Sequence, residues 1–202
     1  MASGLRESKK LALREALSVT TVLLAREQGL GNVRVEDIVE RVGVSRRTFS
    51  NYFSSKEDAI ADRLVQRARI AADALLTRPA DEPLWTAVTE AVLMPYEDEP
   101  DAAAQTRSER TGLLAVLSDP EMQSAVDRGV RAATAALGSA IAERLDVSVS
   151  DDPRPYFVAN AALSTLLLTL ERWVGLREPE PMLLPLLREA FQRLGDGLDR
   201  LP

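Results

Sequence analysis

The chain has 202 residues, long enough for one large helical domain or two small ones, and its formal net charge is −6. It contains no cysteine and no histidine, which excludes disulfides, thiolate metal sites and chemistry based on imidazole. Residues 1–60 carry ten basic against eight acidic side chains, whereas residues 61–202 carry fifteen against twenty-three. Only the N-terminal part is therefore suited to facing phosphates.

Helical periodicity dominates the whole chain, and no alternating strand pattern is found, so an all-α fold of about nine helices is expected. The N-terminus, MASGLRESKKLALRE, is charged and lacks the apolar core of a signal peptide. The sequence therefore predicts a cytoplasmic protein.

The first two predicted helices are separated by glycines. The first runs from about residue 7 to 28 and stops at Gly29. The second is short, with apolar residues on its inner face, and is followed by Gly43, which we expect to adopt a positive φ in a tight turn.

The third and fourth predicted helices begin at serines. Ser45 is the expected N-cap of a very short third helix that reaches residue 52 or 53. A capping box of Ser54 with Glu57 is expected to open a fourth helix that ends near Thr77.

Five further helices are predicted, with prolines at or near the breaks between them: 84–94, 101–118, 120–145, 153–176 and 182–198. Residues 156–176 are apolar nearly all round, but Asn160, Glu171 and Arg172 make a membrane span a poor interpretation. Burial against the same subunit on one side and a second subunit on the other fits better. With the helix at 182–198, this predicts a homodimer joined by four helices.

The segment VEDIVERVGVSRRTFSNYF has the pattern of a helix-turn-helix, two short helices joined by a turn that contains glycine. Its apolar residues are expected to form a small core shared with the first helix: Val35, Ile38, Val39, Val42, Val44, Phe49 and Phe53. This core would hold the third helix so that its polar residues point outward: Arg46, Arg47, Thr48, Ser50 and Asn51. An αα-hairpin whose charges merely solvate its surface is the alternative.

A helix in the major groove of DNA can read base edges through such side chains. Arginine donates two hydrogen bonds to guanine, asparagine does the same to adenine, and threonine can contact thymine. Tyr52 and Lys56 suit the sugar–phosphate backbone, and the start of the fourth helix offers unpaired amides to a phosphate. Double-stranded DNA is therefore the predicted partner.

The segment VEDIVERVGVSRRTFSNYFSSKEDAI resembles the DNA-binding region of the tetracycline-repressor (TetR) family of bacterial regulators. The resemblance covers about sixty residues with the first helix included, and it implies an N-terminal DNA-binding domain at 1–56 and a ligand-binding and dimerisation domain at 57–202. It implies DNA contacts at Arg34, Ser45, Arg46, Arg47, Thr48, Ser50, Asn51, Tyr52 and Lys56. Relatives often have a capping threonine where Arg34 stands, and arginine is a poor cap, so this contact departs from the family pattern.

The resemblance also implies a repressor that holds a palindromic operator until a small molecule enters the C-terminal domain. Such a ligand would change the distance between the two reading helices, which must be about 34–36 Å to meet successive major grooves. An apolar pocket with a few polar groups is expected for a hydrophobic effector. Any one of the candidate residues is more typical of ordinary core than of a pocket; they are Trp85, Val88, Val92, Met94, Arg107, Arg110, Leu114, Leu117, Met122, Val126, Asn160, Leu163, Leu167 and Trp173.

Three other functions are alternatives to a repressor. An enzyme is disfavoured because the chain lacks a phosphate-binding glycine loop, a G-x-S-x-G motif, histidine and cysteine, and no cofactor or metal is expected. A helical ligand-binding or adaptor protein that does not touch DNA is the runner-up. An activator is also open, because its distinction from a repressor depends on where the operator lies relative to the promoter.

Overall fold

The computed structural model describes residues 2–97, 120–176 and 182–197, and within these ranges all regular structure is helical. The helices are α1 (Ala2–Gln28), α2 (Val35–Val42), α3 (Arg46–Ser50), α4 (Lys56–Thr77), α5 (Leu84–Leu93), α6 (Pro120–Leu145), α7 (Arg154–Gly175) and α8 (Leu183–Gly195). Short 3-10 turns, Leu30–Asn32 and Met94–Tyr96, follow α1 and α5. The all-α prediction is confirmed, and the expected limits of α5, α6 and α7 agree to within about one residue. The helix expected at 101–118 lies outside the described residues.

The chain divides into two compact units. The head unit comprises Met1–Gln66 and Ala115–Gly129, and the body unit comprises Arg67–Leu114 and Val130–Pro202. The boundaries after Gln66 and after Gly129 fall inside helices, so that α4 and α6 each contribute residues to both units.

The core of the head unit is the one that the sequence predicts. Leu17 and Ile38 are fully buried, and Phe49 and Phe53 are nearly so, with ring centroids 5.7 Å apart and planes tilted by 52°. The valines predicted to pack there also join this cluster, either buried or partly buried: Val35, Val39, Val42 and Val44. Because an offset aromatic pair adds to the burial of two large apolar side chains, it fixes the position of α3 against α1 and α2.

The turn between α2 and α3 is closed by backbone hydrogen bonds. Gly43 has φ of 79° and ψ of 36°, which confirms the predicted left-handed conformation. The Val44 N–H donates to the Val39 carbonyl at 2.9 Å, and the Gly43 N–H donates to the Glu40 carbonyl at 3.2 Å. These two bonds form the Schellman motif that satisfies the last carbonyls of a helix.

The limits of α3 and the start of α4 differ from the prediction. Ser45 caps α3 as expected, since its hydroxyl oxygen accepts the Thr48 N–H at 3.1 Å. However, α3 ends at Ser50, because the chain turns there and returns Phe53 to the core. The predicted box of Ser54 with Glu57 is wrong: the cap of α4 is Ser55, whose hydroxyl oxygen accepts the Asp58 N–H at 3.1 Å.

The body unit is built around the packing of α8 on α5 and α7. Leu187 and Phe191 of α8 are fully buried, and the Trp85 indole of α5 stacks on Phe191 with ring centroids 5.7 Å apart. Arg188 extends this contact with ion pairs to Glu90 at 2.8 Å and Glu97 at 2.5 Å. Among the described residues, no helix combines the length and the apolar character that crossing a lipid bilayer requires.

Candidate nucleic-acid interface and effector region

The short helix α3 presents its polar side away from the head core. Arg46, Arg47 and Ser50 are exposed, and so is Asn51 immediately after the helix, whereas Phe49 retains only 2% exposure. A buried aromatic on one side of a five-residue helix thus leaves four hydrogen-bonding side chains on its other sides. These are four of the residues that the sequence predicts to contact DNA.

Thr48 is more constrained than its neighbours. It is only partly exposed, and its hydroxyl lies 2.9 Å from the Ser45 hydroxyl while its N–H donates to the same Ser45 oxygen. Ser45 and Thr48 together therefore hold the first turn of α3. Their predicted contacts with DNA stay predictions.

Arg46 forms an ion pair with Glu36 of α2, with a nitrogen–oxygen distance of 2.7 Å and side-chain exposures of 73% and 57%. An ion pair at this exposure contributes little free energy because water screens both charges. A guanidinium also has five N–H donors. Arg46 can therefore bind the acceptors of a nucleobase either in addition to the Glu36 carboxylate or in its place. The contact of Glu36 with Arg46 was not predicted, because the two residues are ten positions apart and lie in different helices.

Arg34 occupies the N-cap position of α2 without capping it through its side chain. The Asp37 carboxylate instead accepts the Arg34 N–H at 3.0 Å, and so stabilises the helix start from the opposite direction. The Arg34 side chain is exposed, and a contact between it and a phosphate stays a prediction.

Lys56 has a structural contact that was not predicted. Its ammonium group donates to the Leu30 carbonyl at 2.7 Å and to the Val33 carbonyl at 3.0 Å. It thereby ties the start of α4 to the segment between α1 and α2. An ammonium has three donors, so a third can still meet the phosphate that the sequence predicts here. Tyr52, the other predicted backbone contact, is partly buried and packs on the head core.

Several residues of the predicted effector pocket lie in the interior of the body unit. Val88, Val92, Leu163 and Trp173 are each at most 4% exposed, and Leu167 is partly buried. Four other candidates lie outside the described residues: Arg107, Arg110, Leu114 and Leu117.

The remaining pocket candidates either contact other parts of the protein or are exposed to solvent. The Trp85 N–H donates to the Phe191 carbonyl at 3.0 Å, so the partner expected from a ligand is supplied by the protein. Asn160 is exposed and donates to the Tyr156 carbonyl of its own helix at 2.9 Å, and Met94 is 39% exposed. Met122 and Val126 pack in the head unit rather than in the body unit, because the first turns of α6 contact Leu30 and Ala61.

Two polar features of the body unit were not predicted from the sequence. The Arg67 guanidinium lies over the Tyr96 ring, 4.5 Å from its centroid, and Tyr96 is only 4% exposed. The Thr89 hydroxyl is buried and has no hydrogen-bond partner within the described ranges. A buried hydroxyl without a partner is costly, and thus Thr89 is a candidate to bind a polar group of an effector. The signal available in the sequence was the spacing of Thr89, Val92 and Tyr96, three and four positions apart, although Tyr96 lies in the 3-10 turn that follows α5.

The head unit has the architecture of a helix-turn-helix transcriptional regulator: a rigidly packed short helix, a glycine turn and exposed residues suited to base edges. Residues 19–62 match the family described as "Bacterial regulatory proteins, tetR family", and residues 82–199 match the one described as "MftR C-terminal domain". The protein belongs to the TetR family of bacterial regulators. The family assignment confirms the resemblance seen in the sequence and the expectation that the protein is a regulator rather than an enzyme.

Individual relatives agree with this assignment. The HTH-type transcriptional regulator EthR of Mycobacterium tuberculosis is 36% identical over 76 residues, and the match spans 35% of each chain, about a third of that relative. The TetR family repressor FadR of Thermus thermophilus, solved with lauroyl-CoA, is 22% identical, with a TM-score of 0.56 and coverage of 92% of this chain and 94% of that chain. The fatty acid degradation regulator FadR of Bacillus halodurans is 18% identical, with a TM-score of 0.52 and coverage of 92% and 96%. At these identities the two structures show a shared fold alone.

Proposed function

We propose that the protein is a repressor that binds a palindromic DNA operator as a homodimer and is released by a small, hydrophobic molecule. The presentation of α3 carries this proposal. Phe49 and Phe53 fix the inner side of the segment, and Ser45 caps the helix, so that Arg46 and Arg47 extend from a support that does not need to reorganise on binding. Operator binding also implies that the protein acts in the bacterial cytoplasm.

Sequence would be read mainly by the two exposed arginines and by Asn51. Each bidentate contact with a base is worth about 1–3 kcal/mol of discrimination against a wrong base. Contacts from Arg34, Tyr52 and Lys56 would bind phosphates, which adds affinity for any duplex and makes binding dependent on salt. Affinity and specificity thus come from different side chains and can be separated by substitution.

An exposed apolar stripe on α7 supports the homodimer. Phe157 and Leu168 are 66% and 65% exposed, and their separation of eleven positions is about three helical turns, so both lie on one side of the helix. Ala161 and Ser164 lie between them on the same side and are small enough for a second helix to approach closely. Large apolar side chains left in water along one stripe are typical of an interaction surface, and a two-fold dimer would bury two such stripes together. The proposed interface comprises residues 156–176 and 182–198.

The effector would bind in the body unit, whose interior is apolar around Val88, Val92 and Leu163. The complex of Thermus thermophilus FadR with lauroyl-CoA provides an example of a molecule with a long apolar chain bound by this fold, and supports the effector class only by analogy. Release requires that the effector prefers a dimer in which the two α3 helices are not one helical repeat apart.

The proposal is tested by sequencing chromosomal DNA fragments that are recovered with the protein, and then measuring binding to the shared palindrome by fluorescence anisotropy. We expect tight binding to the palindrome and much weaker binding to a scrambled duplex. Arg46→Ala and Arg47→Ala should each reduce this discrimination by about 1–3 kcal/mol at one operator position. Arg131→Ala, which removes an exposed arginine of the body unit, is the matched control and should change nothing.

Two results would contradict parts of the proposal. Equal, weak binding to palindromic and scrambled duplexes, unaffected by Arg46→Ala and Arg47→Ala together, would favour a ligand-binding or adaptor protein. Leu168→Glu should convert the protein to a monomer in sedimentation experiments and abolish operator binding. A dimer that survives this substitution unchanged would exclude the stripe on α7 from the interface.

A further inference from the structure

A contact between α6 and the start of α4 links two helices of the head unit. The Arg128 guanidinium of α6 donates to one carboxylate oxygen of Asp58, from Nε at 3.2 Å and from Nη2 at 2.5 Å. The Asp58 side chain is only 20% exposed, whereas that of Arg128 is 51% exposed. The arginine therefore approaches from the solvent side, and the carboxylate that it contacts is largely shielded from water.

Asp58 lies in the first turn of α4, where the sequence predicts a DNA phosphate. The Ser54 hydroxyl donates to its carboxylate, Ser55 caps the same turn and Lys56 is two residues away. Partial burial acts to raise the pKa of Asp58, but hydrogen bonds from Ser54 and Arg128 outweigh it and hold this pKa below its usual value. The carboxylate is consequently charged at neutral pH, and an uncompensated charge of this sign would repel a phosphate at the same helix start.

Packing explains why Arg128 is available at this position. Met122 and Ala125 of α6 are each 1% exposed and form a cluster with Leu30 and Ala61. Arg128 lies three residues after Ala125, on the same side of α6. This packing therefore places the Arg128 side chain beside Asp58 of α4. Residues 130–145 of the same helix belong to the body unit, so the arginine stands on an element that both units share.

We propose that Arg128 is a positioning residue for operator binding, which neutralises Asp58 so that the start of α4 can approach a phosphate. This inference rests on the proposed function. Arg128 acts through Asp58 and not through a contact of its own with DNA. A displacement of α6 that withdrew the guanidinium would expose a repelling carboxylate at the interface, and the affinity of the head unit for DNA would fall without any change in α3.

The experiment compares Arg128→Gln, Asp58→Asn and the double variant in the full-length protein, by anisotropy with the operator and with a scrambled duplex. Arg128→Gln should weaken binding to both duplexes on the order of tenfold, because the repelled phosphate carries no sequence information. Asp58→Asn should stay within about threefold of wild type, and the double variant should return to that level. Arg131→Gln, an exposed arginine three residues further along α6, is the control and should bind as wild type.

The salt dependence separates positioning from direct contact. A direct phosphate contact by Arg128 would lower the slope of log affinity against log salt by about 0.9 for each head unit, and Asp58→Asn would not restore affinity. That outcome would overturn the proposal, and so would an Arg128→Gln variant that binds as wild type. Arg128→Lys keeps the charge and should keep most of the affinity, which covers the case in which Arg128→Gln folds poorly; a tenfold loss in Arg128→Lys would also refute the proposal. If wild-type protein does not distinguish operator from scrambled duplex, the proposed function itself fails, and this is visible before any variant is measured.

Discussion

The Lys56→Met substitution tests whether this lysine holds the head unit together in addition to any contact with DNA. Methionine keeps most of the apolar stem but removes the ammonium that donates to the Leu30 and Val33 carbonyls at 2.7 and 3.0 Å. A hydrogen bond from a charged donor contributes about 1.5–3 kcal/mol. Because Lys56 is partly exposed and one ammonium makes both bonds, we expect less than the sum for two separate bonds, a loss of about 2–3 kcal/mol.

Hydrogen exchange of backbone amides in the full-length protein without DNA measures this loss where it occurs. A decrease of 2 kcal/mol in the stability of the head unit corresponds to exchange about thirtyfold faster. The faster exchange should affect residues 30–53, which the lysine ties to α4, and should spare α8. Operator and scrambled duplexes should both bind more weakly.

Arg47→Met is the matched comparison, because it removes one exposed cation from the same unit. It should reduce operator binding and leave amide exchange at wild-type rates. If Lys56→Met also exchanges at wild-type rates while losing affinity for DNA, the two carbonyl contacts contribute nothing to stability, and the lysine acts on phosphate alone.

Three other substitutions have expected outcomes that differ in kind. Phe49→Ala deletes a side chain that is 2% exposed and should destabilise the head unit by about 3–5 kcal/mol, measured by urea unfolding; a loss below 1 kcal/mol would show that the aromatic pair does not fix α3. Gly138→Ala should destabilise the body unit by about 1–3 kcal/mol, although alanine usually favours a helix, because the new Cβ would lie 2.7 Å from the Tyr156 ring; a raised melting temperature would contradict this. Folding lowers the pKa of Asp58, so the charged carboxylate stabilises the folded protein. This contribution is fully present above the pKa that Asp58 has in the unfolded chain, and it is lost as the pH falls through the pKa in the folded protein. Urea midpoints of wild type and Asp58→Asn should therefore converge from neutral pH toward acid pH, and a constant difference would refute the assigned direction.

The helices and the helix-turn-helix are predictable from the amino-acid sequence. Their signals are local: Gly43 needs a left-handed backbone, Ser45 offers a cap, and the apolar residues from Val35 to Phe53 repeat with the period of a helix. The limits of α5, α6 and α7 were predictable for the same reason, since prolines and polar breaks surround them. Local errors remained at the start of α1, at the end of α3, and at the cap of α4, where two adjacent serines both qualified and the helix begins after Ser55.

The pairing of charged side chains, in contrast, depends on the folded structure. Lys56 reaches carbonyls 23 and 26 residues earlier in the chain, and Arg128 reaches a carboxylate 70 residues away. The effector region shows the same limit, since the side chains of Trp85 and Asn160, predicted to bind a ligand, donate hydrogen bonds to carbonyls of the protein instead. The sequence pattern does not indicate these pairings. The residues next to a polar side chain in the chain do not show whether a distant residue will form a hydrogen bond with it. Propensity and capping act within a few residues and can be read along the chain, whereas ion pairs and buried polar contacts depend on distances in space that only the folded protein fixes.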